Sequence, residues 1–201
     1  MFNRADKEVI IYEANAKERD QAIHLLKITE DSTLGAIIYN TSGVIVDGWI
    51  RILGHSGVYG KGIIEQNLMN KEGIAKRLED MLIVAYDVVG GIFALNSGHF
   101  TENVGGVWYF APDTLEWETL EMTYSEFIAW TVQGNTDEFY ESMRWNRWRD
   151  ETAAVKFDEA ILIYPFLWSK EIDIEKADKK KVPAEELFEI NFEYSEKFGL
   201  S

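Results

Sequence analysis

Apolar and polar positions switch between two periods along the chain, and the switches mark its elements. Residues 1–14 read as a short arm or strand. Asn15 followed by Glu18 has the spacing of a helix start, and Ala22, Ile23 and Leu26 continue an apolar stripe to about Ile28. The period then shortens. Leu34–Tyr39 (LGAIIY) and Val44–Leu53 (VIVDGWIRIL) are rich in β-branched residues and are separated by Asn40-Thr41-Ser42-Gly43, which predicts a hairpin. In the second run Val46, Gly48, Ile50 and Ile52 alternate with Asp47, Trp49 and Arg51. Successive side chains of a strand point to opposite faces, so the Val/Ile set is expected inward and Asp47, Trp49 and Arg51 outward. Gly54, Gly57, Gly60, Gly62 and Gly73 break up the next stretch, in which a helical turn is expected around Ile63–Met69 and a polar, partly helical segment over 70–80.

The densest apolar pattern runs from Met81 to Trp130. Leu82–Tyr86 and Ile92–Leu95 read as strands joined by Asp87-Val88-Val89-Gly90-Gly91, where the glycines can take the positive φ of a tight turn. Val107–Phe110 and Trp117–Leu120 read as strands joined across Pro112-Asp113, since Pro fixes φ and Asp caps its own backbone. Thr123 and Glu126 form a T-x-x-E capping box for a helix that Gly134 ends. Asn135 and Glu138 begin another, expected to turn Phe139, Met143 and Trp148 inward and Arg144, Arg147 and Arg149 outward. Ala160–Trp168 is a buried-strand run that Pro165 interrupts, Lys170–Lys181 a charged linker, and Pro183 to Gly199 a terminal helix striped by Leu187, Ile190, Tyr194 and Phe198. This order predicts an α+β fold. Its mainly antiparallel central sheet has six or seven strands, with helices before and after it on one face. The chain is expected to form one domain over 1–201, with a core at 15–168 and the helix 183–198 packed on it.

Composition sharpens this picture. A hydrophobic fraction of 46% with seven Trp, nine Tyr and eleven Phe is ample for a core. There is no Cys, which excludes disulfides, thiolate nucleophiles and cysteine zinc sites. No apolar run approaches the roughly 20 residues that span a bilayer, and the N-terminal apolar run is too short for a signal peptide. A cytoplasmic chain with no membrane partner is expected. The formal charge of −15 argues against nucleic acid as a direct ligand. Between Arg77 and Arg144 there is no Lys or Arg but twelve acids, a surface that would aid solubility and could steer a basic partner.

Motif chemistry is sparse. His24, His55 and His99 are far apart, and no phosphate-binding, zincin or dinucleotide fingerprint occurs. Gly54-His55-Ser56-Gly57 lacks the strand–Ser–helix setting of a nucleophile elbow. Glu116 and Glu118 are spaced to share a strand face after Asp113, a pairing that arises by chance in so acidic a chain. No catalytic residue, metal or cofactor is assigned. The surplus tryptophans suggest a groove or interface, because a buried indole still needs a partner for its N–H. Trp49 with Arg51, and Trp117 with Asp113, Glu116 and Glu118, are the candidate partner surface.

LGAIIYNTSGVIVDGWIRILG, LIVAYDVVGGIFALN, VWYFAPDTLEWETLEMTYSEFIAW and ILIYPFLW resemble, over nearly the whole chain, a bacterial family known as a domain of unknown function. More distantly, the D-x-x-G-G turn (Asp87, Gly90, Gly91) and the helix start Tyr124-Ser125-Glu126-Phe127 are similar to the SUKH superfamily. That resemblance implies an α+β fold and, for many members, an immunity protein that binds and neutralises a secreted toxin. It implies no catalytic residues. The expectation is a non-catalytic domain binding a basic toxin through an acidic, Trp-containing surface. The alternatives are an enzyme with an acid/His site within 96–118, and a self-associating module.

Overall fold

A computed structural model describes residue 2 and residues 5–55, 62–69 and 78–200. Gly57, Gly60, Gly73, Ser56 and the segment 70–77 lie outside the described residues. Strand β1 (Val9–Glu13) precedes helices α1 (Ala16–Leu26) and α2 (Thr33–Asn40). Strands β2 (Thr41–Val46), β3 (Ile50–Leu53), β4 (Met81–Asp87), β5 (Ile92–Asn96), β6 (Val107–Phe110) and β7 (Trp117–Met122) follow. Helices α3 (Tyr124–Gln133), α4 (Thr136–Phe139) and α5 (Trp148–Thr152) lead to the hairpin β8 (Glu159–Tyr164) and β9 (Asp178–Pro183), and α6 (Ala184–Phe198) closes the chain. Strands β1 to β7 pair antiparallel in sequence order as one seven-stranded meander. The α+β fold with a mainly antiparallel sheet is therefore as expected.

Helices cover both faces of the sheet, rather than one. Phe93 and Tyr109 stack across β5 and β6 at 4.6 Å, and α3 lays Phe127 on Phe93 at 4.8 Å. The neighbouring residues point the other way, where Tyr86 meets Phe188 of α6 at 5.3 Å and Phe110 stacks on Phe192 at 4.4 Å. Strands buried on both sides lose the in/out alternation of a half-solvated sheet, and β3 and β6 are buried at every position.

Several local readings change. Leu34–Tyr39 belongs to α2 and not to a strand. Ser32 caps it by accepting from the Gly35 N–H at 2.9 Å, and a side chain at Gly35 would lie 1.9 Å from the Thr29 carbonyl. A short apolar run fits a buried helix as well as a buried strand, because periodicity does not separate the two. The hairpin turn lies at Asp47-Gly48, with φ of 51° and 61°, and the Trp49 N–H donates to the Val46 carbonyl at 2.9 Å. That is the positive-φ pair a primed turn requires. The Lys170–Lys181 stretch contributes β9, paired with β8 from Glu159–Pro183 to Tyr164–Asp178. The helix expected through Phe139–Trp148 is two short pieces, and Arg144 between them turns inward. Its guanidinium sits over Trp148 at 4.0 Å and Trp49 at 4.8 Å and pairs with Asp137. The turn expected near Ile63–Met69 is π-helical over Glu65–Met69, and Asn67 clips it to β4 by two bonds with the Ile83 backbone, 2.7 and 2.8 Å.

Other signals hold. Thr123 and Glu126 form the capping box, Asn15 caps α1, Asn135 caps α4, and Gly199 ends α6 in the left-handed region. At the β4–β5 turn Gly90 has φ 96°, but Gly91 is needed for space: a Cβ there would lie 2.2 Å from Asp87 Oδ2 and 2.3 Å from the Tyr109 hydroxyl. Gly91→Ala is therefore expected to cost about 3 kcal/mol through overpacking. Gly105→Ala meets no atom within 4 Å at φ 84° and should cost about 1 kcal/mol of backbone strain. Chemical denaturation of both variants checks this; equal costs would refute the close-approach account.

Candidate functional site

The six residues proposed as a partner surface separate into three places. Trp49 and Arg51 are both 0% exposed and cannot meet a partner. Trp49 sits among Tyr140, Trp145 and Trp148, with ring centres at 5.3, 6.0 and 5.1 Å. Arg51 donates to the carbonyls of Gly48 (2.8 Å), Trp49 (2.9 Å) and Val155 (3.3 Å), and burial lowers its pKa to about 10. The expected outward face of β3 is covered by the chain after α5, which supplies Val155 and lays Phe157 over Gly43 of β2.

The other four gather around β7, an edge of the sheet. Tyr109 pairs with Glu118 and Phe110 with Trp117, so Trp117 faces the α6 side and Glu118 the α3 side. Glu116 precedes the strand and lines the groove beside Trp117. Glu116 and Glu118 thus do not share a strand face, yet they remain electrostatic neighbours. Burial raises the Glu118 pKa, and the negative charges of Asp113 and Glu116 raise it further. Burial also raises Asp113, against hydrogen bonds that include one from Ser142. The Pro112-Asp113 turn is fixed from behind by Ser195 of α6, which donates to the Leu115 carbonyl at 2.8 Å.

The groove has a volume of about 680 Å³ and runs between loop 97–106, the start of β7 and the end of α6. Its apolar lining is Phe100, Trp117, Phe192, Leu78 and Leu200, and its polar lining is His99, Glu116 and Glu196. No Lys or Arg occurs among the described lining residues. Phe100 stacks on Trp108 at 3.9 Å, and Trp117 packs against Phe110 at 5.4 Å.

The loop wall is held by Asn96, a residue that the sequence reading passed over. Its Oδ1 accepts from the Gly98 and Phe100 N–H groups at 3.0 and 3.1 Å, and its Nδ2 donates to the Phe100 and Glu102 carbonyls at 2.8 Å each. The signal was an Asn two residues before a Gly at a strand end, the pattern of a side chain that closes a turn on its own backbone. His99 contacts the Glu79 carbonyl through Nδ1 at 2.9 Å. His55 is structural: its Nε2 accepts from the Asn15 N–H at 3.0 Å, and burial lowers its pKa. Also unanticipated is a ladder of rings from the YPFLW run. Phe166 stacks on Trp168 at 4.3 Å, and Tyr194 meets Trp168 at 5.3 Å. Among the described residues no three His, Asp or Glu gather as metal ligands would, and no helix is long and apolar enough to cross a membrane.

A family model described as "Protein of unknown function DUF2625" matches residues 1–187. The chain belongs to that family. It is 38% identical over 183 residues to "Putative uncharacterized protein YbfG" of Escherichia coli (strain K12), covering 89% of this chain and 81% of that one. It is 32% identical over 198 residues to an "Uncharacterized protein" of Haemophilus influenzae, covering 96% and 86%. The DUF2625 match ends inside α6, before the Phe192 and Glu196 that close the groove.

The most strongly displaced titratable groups of this DUF2625 chain lie in its interior and not in the groove. Asp87, 0% exposed, accepts from the Val89 and Gly91 N–H groups at 3.0 and 2.9 Å and from the Tyr109 hydroxyl at 2.7 Å. Burial pushes its carboxyl above the ordinary value, while these bonds pull it down. Burial also pushes the Tyr109 and Tyr140 hydroxyls well up.

The folded state therefore holds the Asp87 proton more tightly than the unfolded chain does. From the unfolded value of about 3.9 up to the raised folded value, this group's contribution to stability falls as pH rises. Asp87→Asn has nothing to titrate there. Its stability deficit against the wild type is expected to shrink in urea titrations as pH rises from about 4 to about 7. A deficit that stays constant or grows would refute the raised value.

Proposed function

We propose that this chain is a non-catalytic, cytoplasmic protein-binding domain. Its partner presents a basic segment, as a toxin neutralised by a SUKH-like immunity protein would. The observation that carries this reading is the grouping of Asp113, Glu116 and Glu118 along one sheet edge, where Glu116 lies beside the partly buried Trp117 and Glu118 points to the other face. Trp117 and Glu116 also line a groove without a cation among its described residues. An aromatic floor with a carboxylate rim is complementary to lysine and arginine side chains, through cation–π contact and charge together. The net charge of −15 adds long-range attraction for such a partner.

An acid/His enzyme within 96–118 has less support. A site that performs proton transfer pairs an accessible cleft with displaced pKa values. Here the groups that burial pushes up at Asp87, Tyr109 and Tyr140 are at 0–1% exposure and do not line the groove.

Calorimetric titration of the intact chain against a basic toxin domain encoded beside it tests the proposal. Glu116→Lys and Glu118→Lys are each expected to weaken binding about tenfold, or about 1.4 kcal/mol. Trp117→Ala should weaken it further, and Glu13→Lys, exposed on β1 at the opposite edge of the sheet, should leave it unchanged. Affinity should fall as salt is added. Binding indifferent to salt and to both reversals would eliminate the acidic edge as the contact.

A further inference from the structure

The charges and the rings of the groove beside β7 differ in exposure. Glu116 and Glu196 stand exposed at its rim. Phe192 is the most enclosed of its rings, at 4% exposure, and Phe100 and Trp117 are partly buried. Trp117 is the hub of the three. Its ring centre lies 6.2 Å from Phe100 and 6.4 Å from Phe192, with the planes inclined at 59° and 48°. Trp108 stacks on Phe100 at 3.9 Å and Phe110 on Phe192 at 4.4 Å. Backed in this way, the inclined rings form a concave wall rather than a flat patch.

This arrangement selects an occupant. No Lys or Arg is among the described lining residues, so an entering cation meets two carboxylates, whereas an anion is repelled by them. A neutral apolar group gains nothing from Glu116 and Glu196. A lysine ammonium carries three N–H donors, each of which needs an acceptor once water is stripped away. The rings offer no such acceptor, and His99 already turns Nδ1 to the Glu79 carbonyl at 2.9 Å. A lysine head is therefore best served at the rim, which leaves the ring-lined floor unfilled. A quaternary ammonium has no N–H to satisfy. Its methyl groups pack on ring faces as hydrocarbon does, while its charge is attracted by the same faces.

We propose that this groove binds a quaternary ammonium group, seated among Phe100, Trp117 and Phe192 below the Glu116 and Glu196 carboxylates. The proposal rests on the reading of this edge as a surface for cations and narrows it to one cation chemistry on the Trp117 face. The volume of about 680 Å³ is that of a small-ligand site. A free quaternary ammonium compound and a trimethyllysine on a partner chain carry the same group.

Calorimetric titration of the intact chain with choline tests the proposal. Choline is expected to bind, and its neutral tert-butyl isostere to bind about tenfold more weakly, because only the charge differs. Trp117→Ala should abolish choline binding and Trp117→Phe should keep part of it. Glu116→Gln, at an exposed position, should weaken it several-fold with an unchanged far-ultraviolet spectrum. A peptide with one trimethyllysine separates the sources. Tighter binding than choline assigns the group to a modified partner chain, weaker binding assigns it to a free compound, and either supports the shared chemistry. Equal binding of choline and its isostere overturns the proposal, as does a lysine peptide that binds as tightly as its trimethylated form. A chain that binds neither choline nor the trimethylated peptide also overturns it; if that chain still captures the basic toxin domain, the protein-binding reading stands. Choline binding without toxin capture supports the groove and removes that reading.

Discussion

The buried carboxylate of Asp87 is the constraint on which the middle of the sheet depends. It sits at the end of β4, in the strand pair the hydrophobic pattern marks most strongly, and it is fully enclosed. A buried carboxylate is tolerated only when its lone pairs are taken up. Here the turn it starts supplies two N–H groups, and β6, two strands away in the sheet, supplies the Tyr109 hydroxyl. The hydroxyl reaches Asp87 only because Gly91 has no side chain in its path. Tyr109 in turn packs on Phe93 and Phe139, so the polar cluster and the aromatic layer under α3 and α4 share one residue. The D-x-x-G-G pattern is thus explained by local structure, through one glycine's φ and the other's missing Cβ.

The same enclosure decides where this protein can meet anything else. With α3 and α4 on one face and α6 on the other, the central strands have no free surface. Residues that look outward by alternation, Trp49 and Arg51 above all, end up inside. Arg51 answers its burial with three backbone carbonyls rather than a carboxylate. Arg144 answers its own with Trp148, Trp49 and Asp137.

What the sequence made legible were elements whose cause is local. The four strands between Met81 and Met122, the Thr123/Glu126 box, the Asn15 and Asn135 caps and the Gly199 stop all rest on one or two neighbouring residues. Elements fixed by distant partners were misread. Leu34–Tyr39 is helical because Ser32 caps it and Gly35 lets the preceding turn close, while its β-branched content argues for a strand. Asp178–Pro183 is a strand because β8 is there to pair with it. Its lysines face outward or, like Lys179, lie over Trp145 at 4.9 Å, and no apolar pattern marks it. Of the candidate surface, turn chemistry and strand pattern placed Asp113, Trp117 and Glu118 at the β7 edge, but not the position of Glu116, which precedes the strand and does not share a face with Glu118. Asn96 and the α6 wall were not legible, since a loop clamp and a helix some 80 residues away in sequence complete the groove only in three dimensions.

Edges become the available surfaces once both faces are covered, and the two differ in the physical force each can use. The β7 edge has charge and aromatic faces but a bulged, guarded backbone, so it suits side-chain recognition. The β1 edge is uncharged and apolar over Val9–Tyr12 and ends in a register shift beside the exposed Glu13, so little of it is left for charge recognition.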